Sequence, residues 1–237
     1  MHVLCWLLAL GLQAVWGNPT PAAAQALEAC TTLPASKQLP CYQQRFTAAD
    51  RELNAVYQHL TTTIEMPRKQ AMKEQSRRWI EYKEAHCLEA TGIALSLDLP
   101  EVKRRPEYLE CLYDLTVART AYLKKAFGQE GVAPGLAGAY DDGFGGTLTL
   151  RASGSDTYTF QLEVVRGPTF HTGEVEGRIR LPAKTATFVQ KTDCGGDIPC
   201  CRLTFTRQPL FLRIASEGCE YLHGARAYFP GNYWKVQ

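Results

Sequence analysis

The chain has 237 residues, room for one large domain or two small ones. Its 26 Lys and Arg balance 24 Asp and Glu, which leaves no global field to gather nucleic acid, an anionic membrane or an acidic substrate. With 45% hydrophobic residues, both halves can bury a core.

The chain opens on an apolar run, residues 3–12, too short to span a bilayer, and the helix breakers Gly17, Asn18 and Pro19 follow. Residues 1–17 therefore read as a signal peptide, with cleavage after Gly17 or as late as Ala24. Because its first residues carry no Lys or Arg, a buried first element is the other reading. Removing the leader removes Cys5 and leaves eight cysteines, four in each half: Cys30, Cys41, Cys87 and Cys111, then Cys194, Cys200, Cys201 and Cys219. An even set of this size is a liability in a reducing cytosol and a framework in an oxidising periplasm. No later apolar stretch approaches membrane length.

Helical periodicity follows. Thr47 with Asp50 three residues on resembles a capping box, and Leu53, Tyr57, Leu60 and Ile64 then share a face. Pro67 suits the first turn of a second helix, whose inward stripe is Met72, Gln75 or Ser76, Trp79, Tyr82 and His86. Arg68, Lys69, Lys73, Arg77 and Arg78 fill its other face. A loop, residues 93–105, ends in Lys103-Arg104-Arg105, and Pro106 opens a third helix that carries Tyr108, Cys111, Leu115, Ala118 and Tyr122 and ends at Gly128. Beyond the glycines and prolines of residues 128–138 the period changes to two. Strands are predicted at residues 147–150, 158–164, 174–181, 186–190, 201–205 and 211–214. Helices before and strands after this boundary predict an α+β chain of two segregated domains. Residues 25–128 form a disulfide-linked domain of three to four helices. Residues 129–135 form a linker, and residues 136–237 an antiparallel β barrel or sandwich.

Several motifs of the first half occur in a specific order. Cys30 and Cys41 come first, then Asp50-Arg51-Glu52-Leu53-Asn54 leading to Tyr57. Gln75, Trp79-Ile80, Tyr82-Lys83-Glu84 and Cys87 follow, then Cys111, Thr116, Arg119 and Leu123. In these residues the segment from about residue 30 to 127 resembles the N-terminal domain of the LprI-type lysozyme inhibitor family. Lys83 and Glu84 stand where the family more usually has Arg and Asp, which keeps the charges but loses the flat guanidinium fork. The second half looks like the β domain some of these proteins append, through Gly173-Glu174, Gly177, the Cys201–Phe205 strand, Gly218-Cys219, His223-Gly224 and the Phe229-Pro230-Gly231 turn before Tyr233.

The resemblance implies a helical fold and lysozyme as the protein partner, and with no catalytic, cofactor or metal motif in the sequence no enzyme activity, cofactor or metal is expected. An inhibitor of this kind fills the enzyme's cleft, and the loop ending in Lys103, Arg104 and Arg105 offers cations to its carboxylates. The alternative is a periplasmic binding or adaptor module for another envelope protein, glycan or small ligand. The cysteines read as Cys30–Cys41, Cys87–Cys111, Cys194–Cys200 across Gly195-Gly196, and Cys201–Cys219. A metal site is the competing reading for each half, although no Cys-x-x-Cys knuckle is present. Trp79, Tyr82 and Tyr57 are either core or an aromatic binding face. Asp50, Asn54 and Arg119 are either a recognition site or a polar clip between the first and third helices. The acidic, glycine-rich stretch from Asp141 to Gly146 is a turn before a strand or a calcium loop, and Asp142 and Phe144 are its candidate binding residues. It lacks the alternating ligand spacing of an EF-hand. His86, His171 and His223 are scattered, and no nucleophile elbow, zinc-protease motif or phosphate loop accompanies them.

Overall fold

A computed structural model describes residues 30–91, 99–128, 135–167, 171–192, 194–196 and 199–237. The signal segment, most of the linker and the first part of the 93–105 loop lie outside these. Among the described residues four helices precede the strands: α1 (Ala35–Thr63), α2 (Met66–Ala90), the single turn α3 (Leu99–Val102) and α4 (Pro106–Ala126).

Helix α1 starts twelve residues before the predicted capping box. It carries Pro40 internally, and Thr47 returns its hydroxyl to the Gln43 carbonyl at 2.7 Å instead of capping. The Cys30–Cys41 disulfide pins this first stretch to the segment that precedes it, which helps offset the proline's missing N–H. Proline stands at the first turn of both α2 and α4, as its fixed φ favours. Helix α4 packs on α1 and α2 and buries Tyr108, Leu109, Leu112, Thr116, Arg119, Tyr122 and Leu123. Cys87–Cys111 ties the end of α2 to α4, and around it Val102, Tyr108 and Leu112 make a small core of their own.

Eight antiparallel strands follow: β1 (Gly138–Asp141), β2 (Gly146–Gly154), β3 (Thr157–Arg166), β4 (His171–Arg180), β5 (Thr185–Val189), β6 (Arg202–Arg207), β7 (Leu212–Glu217) and β8 (Gly231–Lys235). Their order is β4-β3-β2-β1-β8-β7-β6-β5. Two four-stranded meanders are therefore joined through β1 and β8, with Asp141 opposite Trp234. The sheet curls until its outer strands β4 and β5 face each other, giving a nearly closed barrel. At that opening the Phe188 ring lies on Gly177, where a Cβ would come within 2.4 Å of it. A bridge from Gly173 to His223 occupies more of the free edge of β4. Leu148, Leu150, Phe160, Leu162, Leu203, Phe205, Ile214 and Tyr233 fill the interior. Cys201–Cys219 lies in this core, and Cys194–Cys200 clips the turn that precedes β6.

The halves share a second core. In β8, Tyr233 points into the barrel and Trp234 points out, into a cluster with Leu53, Leu60, Met72, Trp79, Tyr122 and Phe127. The Trp234 ring meets Phe127 at 4.6 Å and Phe211 at 5.3 Å between centroids.

Candidate functional site

Two of the polar residues singled out by sequence, Arg119 and Asp142, meet at the seam between helices and barrel. The turn from β1 to β2, residues 142–145, is held by acidic side chains accepting from its own backbone. Asp141 Oδ1 accepts from Gly143 N at 2.6 Å, and Asp142 Oδ1 accepts from Phe144 N and Gly146 N, both at 2.8 Å. The other oxygen of Asp142 forms a buried ion pair with Arg166 of β3. Burial is the largest single influence on Arg166 and lowers its pKa, but the Asp142 carboxylate together with Tyr233 and Tyr228 outweighs it and the pKa is raised. Asp142 is 2% exposed, so its carboxylate is internal and out of a partner's reach. Among the described residues no group of three His, Cys, Asp or Glu side chains gathers to hold a metal.

The turn docks onto the helices. Gln75 of α2 donates to the Asp142 carbonyl at 3.0 Å and to the Tyr122 hydroxyl at 2.6 Å. Arg119 of α4 donates to Gln75 Oε1 and Ser76 Oγ, both at 3.3 Å, and lies against the Trp79 and Tyr122 rings. Gly143, at φ +76°, passes so close that a Cβ would stand 2.8 Å from the Arg119 guanidinium. Burial lowers the Arg119 pKa to about 10, against the pull of Tyr122 and Asp141. Burial also raises Tyr122, and it lifts Asp141 to about 6 despite the Gly143 N–H and the cations Lys125 and Arg119.

Asp50 and Asn54 are not part of this cluster. Asn54 Nδ2 donates to Asp50 Oδ2 at 3.0 Å on the outward side of α1, and neither residue bonds to Arg119. The polar clip that Arg119 makes runs to α2 rather than to α1. Trp79 is buried, while Tyr57 and Tyr82 pack at the edge of the shared core, so the aromatic stripe is mostly interior. Leu53 is core. Lys83 lies over Trp79 at 4.9 Å and over Phe46 at 5.6 Å. In the 99–105 segment Val102 is fully buried, Lys103 and Arg104 are exposed, and Arg105 meets Glu101 at 3.9 Å. Phe144 leaves the turn to pack edge-on against Tyr82 at 5.4 Å, with Arg78 above it at 5.7 Å.

Sequence reading missed the cleft that begins at this point. A trough of about 1260 Å³ runs between α2 and the outer side of β7 and β8, with Arg78, Glu81, Phe144, Arg213, Tyr228 and Asn232 among its walls. Its residues come from five separate stretches of chain, and although Gln75, Arg78, Tyr82, Asp142 and Phe144 stood out beforehand, nothing in the sequence brought them together with Arg213, Tyr228 and Asn232.

The match to a known family is confined to the helices. Residues 30–123 match the model of the family described as Lysozyme inhibitor LprI. No curated protein and no solved structure matches the chain. The matched stretch runs from the first disulfide cysteine into α4, so the helical half of this chain is similar to the LprI lysozyme inhibitor family, and a β-rich region follows it over residues 138–235.

Proposed function

We propose that this is an exported bacterial envelope protein that binds lysozyme and blocks its cleft with its helical half. The observation that carries the reading is the family match over residues 30–123, which takes in the two helical disulfides and all but the last turn of α4. Four disulfides suit an oxidising compartment. Among the described residues no helix is long and apolar enough to cross a membrane.

The segment that enters the cleft is residues 99–105. Its base is fixed by the buried Val102 and by Cys87–Cys111, so little conformational freedom is left to lose on binding. Lys103 and Arg104 are exposed and form no ion pair among the described residues, whereas Arg105 is partly held by Glu101. Lysozyme chemistry uses two carboxylates of separated pKa, and a cation set between them excludes substrate. Residues 18–128 carry 15 basic and 13 acidic side chains, and residues 129–237 carry 11 of each. Neither half offers an acidic field to steer a basic enzyme, so association proceeds at an unsteered rate with little salt dependence.

The test is inhibition of a panel of lysozymes by the oxidised full chain beside a Lys103→Ala/Arg104→Ala/Arg105→Ala variant. The full chain is used because Trp234 and the β1–β2 turn complete the helical core. Inhibition weakened about tenfold or more in the variant, with an unchanged thermal midpoint, supports the reading. Absence of inhibition by the folded, oxidised wild type overturns it and leaves the adaptor role, for which the cleft beside α2 is the specific observation.

A further inference from the structure

We propose that the cleft between α2 and the barrel binds an oligosaccharide chain, with a sugar ring seated on Tyr228 and its hydroxyls held by Arg78, Glu81, Arg213 and Asn232. This site is separate from the 99–105 segment and stands whether or not that segment inhibits lysozyme.

Size and shape come first. About 1260 Å³ exceeds the roughly 300–1,000 Å³ of a compact small-molecule pocket, and the trough suits an extended ligand. Its aromatic platform is preset. Tyr228 is 52% exposed, and it is the single aromatic among the exposed large hydrophobic residues of the described chain. One face of its ring rests on the Arg166 guanidinium at 4.6 Å, so the ring is held in place while the rest of it stays open to solvent. Arg166 is itself fixed by Asp142 and is 6% exposed. Arg166 also contributes to the wall of the cleft.

The polar complement then sets the ligand class. Arg78 and Glu81 on α2 and Arg213 and Asn232 on β7 and β8 line the cleft, all exposed, and among the described residues no side-chain hydrogen bond or ion pair engages any of them. Together they offer donors, an acceptor and an amide that is both. A sugar hydroxyl donates and accepts at one atom, and the C–H face of a pyranose is apolar enough to cover a tyrosine ring. Glu81 and Glu74 in the α2 wall disfavour a polyanion, and the arginines of both walls break up the apolar floor an amphipathic helix needs.

The experiment is titration calorimetry of the oxidised full chain with the neutral sugars chitotetraose, maltotetraose and cellotetraose, and with a polyglutamate peptide as the polyanion. Wild type, Tyr228→Ala, Tyr228→Phe and Arg213→Ala are compared, each with its thermal midpoint. Saturable binding of at least one sugar is expected, weakened about tenfold in Tyr228→Ala and Arg213→Ala and retained in Tyr228→Phe. Because the phenylalanine variant keeps the ring, its retained binding separates lost stacking from lost folding. Absence of binding by all three sugars at millimolar concentration overturns the proposal. Equal affinity in wild type and Tyr228→Ala does so too, as does a polyglutamate peptide that binds where the sugars do not.

Discussion

Asp142→Asn is the sharpest test of how the seam is held. The asparagine oxygen still accepts the N–H groups of Phe144 and Gly146, so the turn keeps its shape. What changes is the side facing Arg166, where an amide N–H₂ now meets a buried guanidinium. Removing one partner of a buried ion pair costs about 3–5 kcal/mol, because the remaining charge is uncompensated. With a urea slope of about 2–3 kcal/mol/M, the unfolding midpoint falls by about 1–2.5 M. Arg166→Met alone costs a similar amount, since it leaves the Asp142 carboxylate with only its two N–H donors. The double variant removes both charges and keeps the turn, so it is more stable than the sum of the single losses predicts, by about 2–3 kcal/mol of coupling. The assay is urea unfolding followed at 222 nm for the helices and in the near-ultraviolet for aromatic packing. Strictly additive single losses, or an Asp142→Asn loss below about 1 kcal/mol, would refute the claim that this pair anchors the turn.

Further outcomes follow from neighbouring contacts. Arg119→Ala costs about 2–4 kcal/mol in the same assay, from lost packing and lost stacking on Trp79 and Tyr122. Trp234→Ala costs about 3–5 kcal/mol and lowers the transition seen by both probes, because one residue of β8 belongs to the helical core. Asp141 has its pKa raised from 3.8 to about 6, so the native state holds its proton more tightly than the unfolded chain. Stability from this group falls as pH climbs from about 4 to about 6 and is level above that. Asp141→Asn flattens that part of the midpoint-against-pH curve relative to wild type. The Cys87–Cys111 bridge closes 24 residues, for which chain entropy gives about 3 kcal/mol, read as the midpoint lost in Cys87→Ser/Cys111→Ser.

Much of this architecture was legible because its signals are local. The inward stripe of α2, the prolines at the first turns of α2 and α4 and the alternation of β2 to β7 all follow from period and punctuation. In α4, by contrast, only Tyr108 and Tyr122 of the expected stripe are buried, Ala118 is exposed, and Leu109, Leu112, Thr116, Arg119 and Leu123 carry the inward face. Two strands were not legible, for a shared reason. Residues in β1 and β8 face the barrel on one side and the helices on the other, so Tyr233 and Trp234 are adjacent and both buried. A strand buried on both faces loses the alternation that marks a half-buried one. The same geometry hid the cleft, which forms where α2, the β1–β2 turn, β7 and the stretch from Tyr228 to Trp234 converge. Asp142 stood out for the right turn and the wrong purpose. Its acidity suggested an outside ligand, and the structure gives it Arg166.

This seam also limits where a protein partner can bind. The side of the helical domain formed by Gln75, Trp79, Arg119 and Tyr122 is occupied by the β1–β2 turn and by Trp234. A lysozyme approaching that side would have to displace a buried ion pair and an aromatic cluster, at a cost larger than a surface contact returns. The cluster around Val102 contains no barrel residue, so the 99–105 segment stands clear of the seam. On the proposed reading the barrel thus leaves the inhibitory edge open while it stiffens the helices behind it. An affinity that drops in Trp234→Ala, with Lys103 and Arg104 untouched, is the signature of that support, and it is measured by the same inhibition assay. Unchanged inhibition by a Trp234→Ala protein that has lost its seam would show that the helical half works without the barrel.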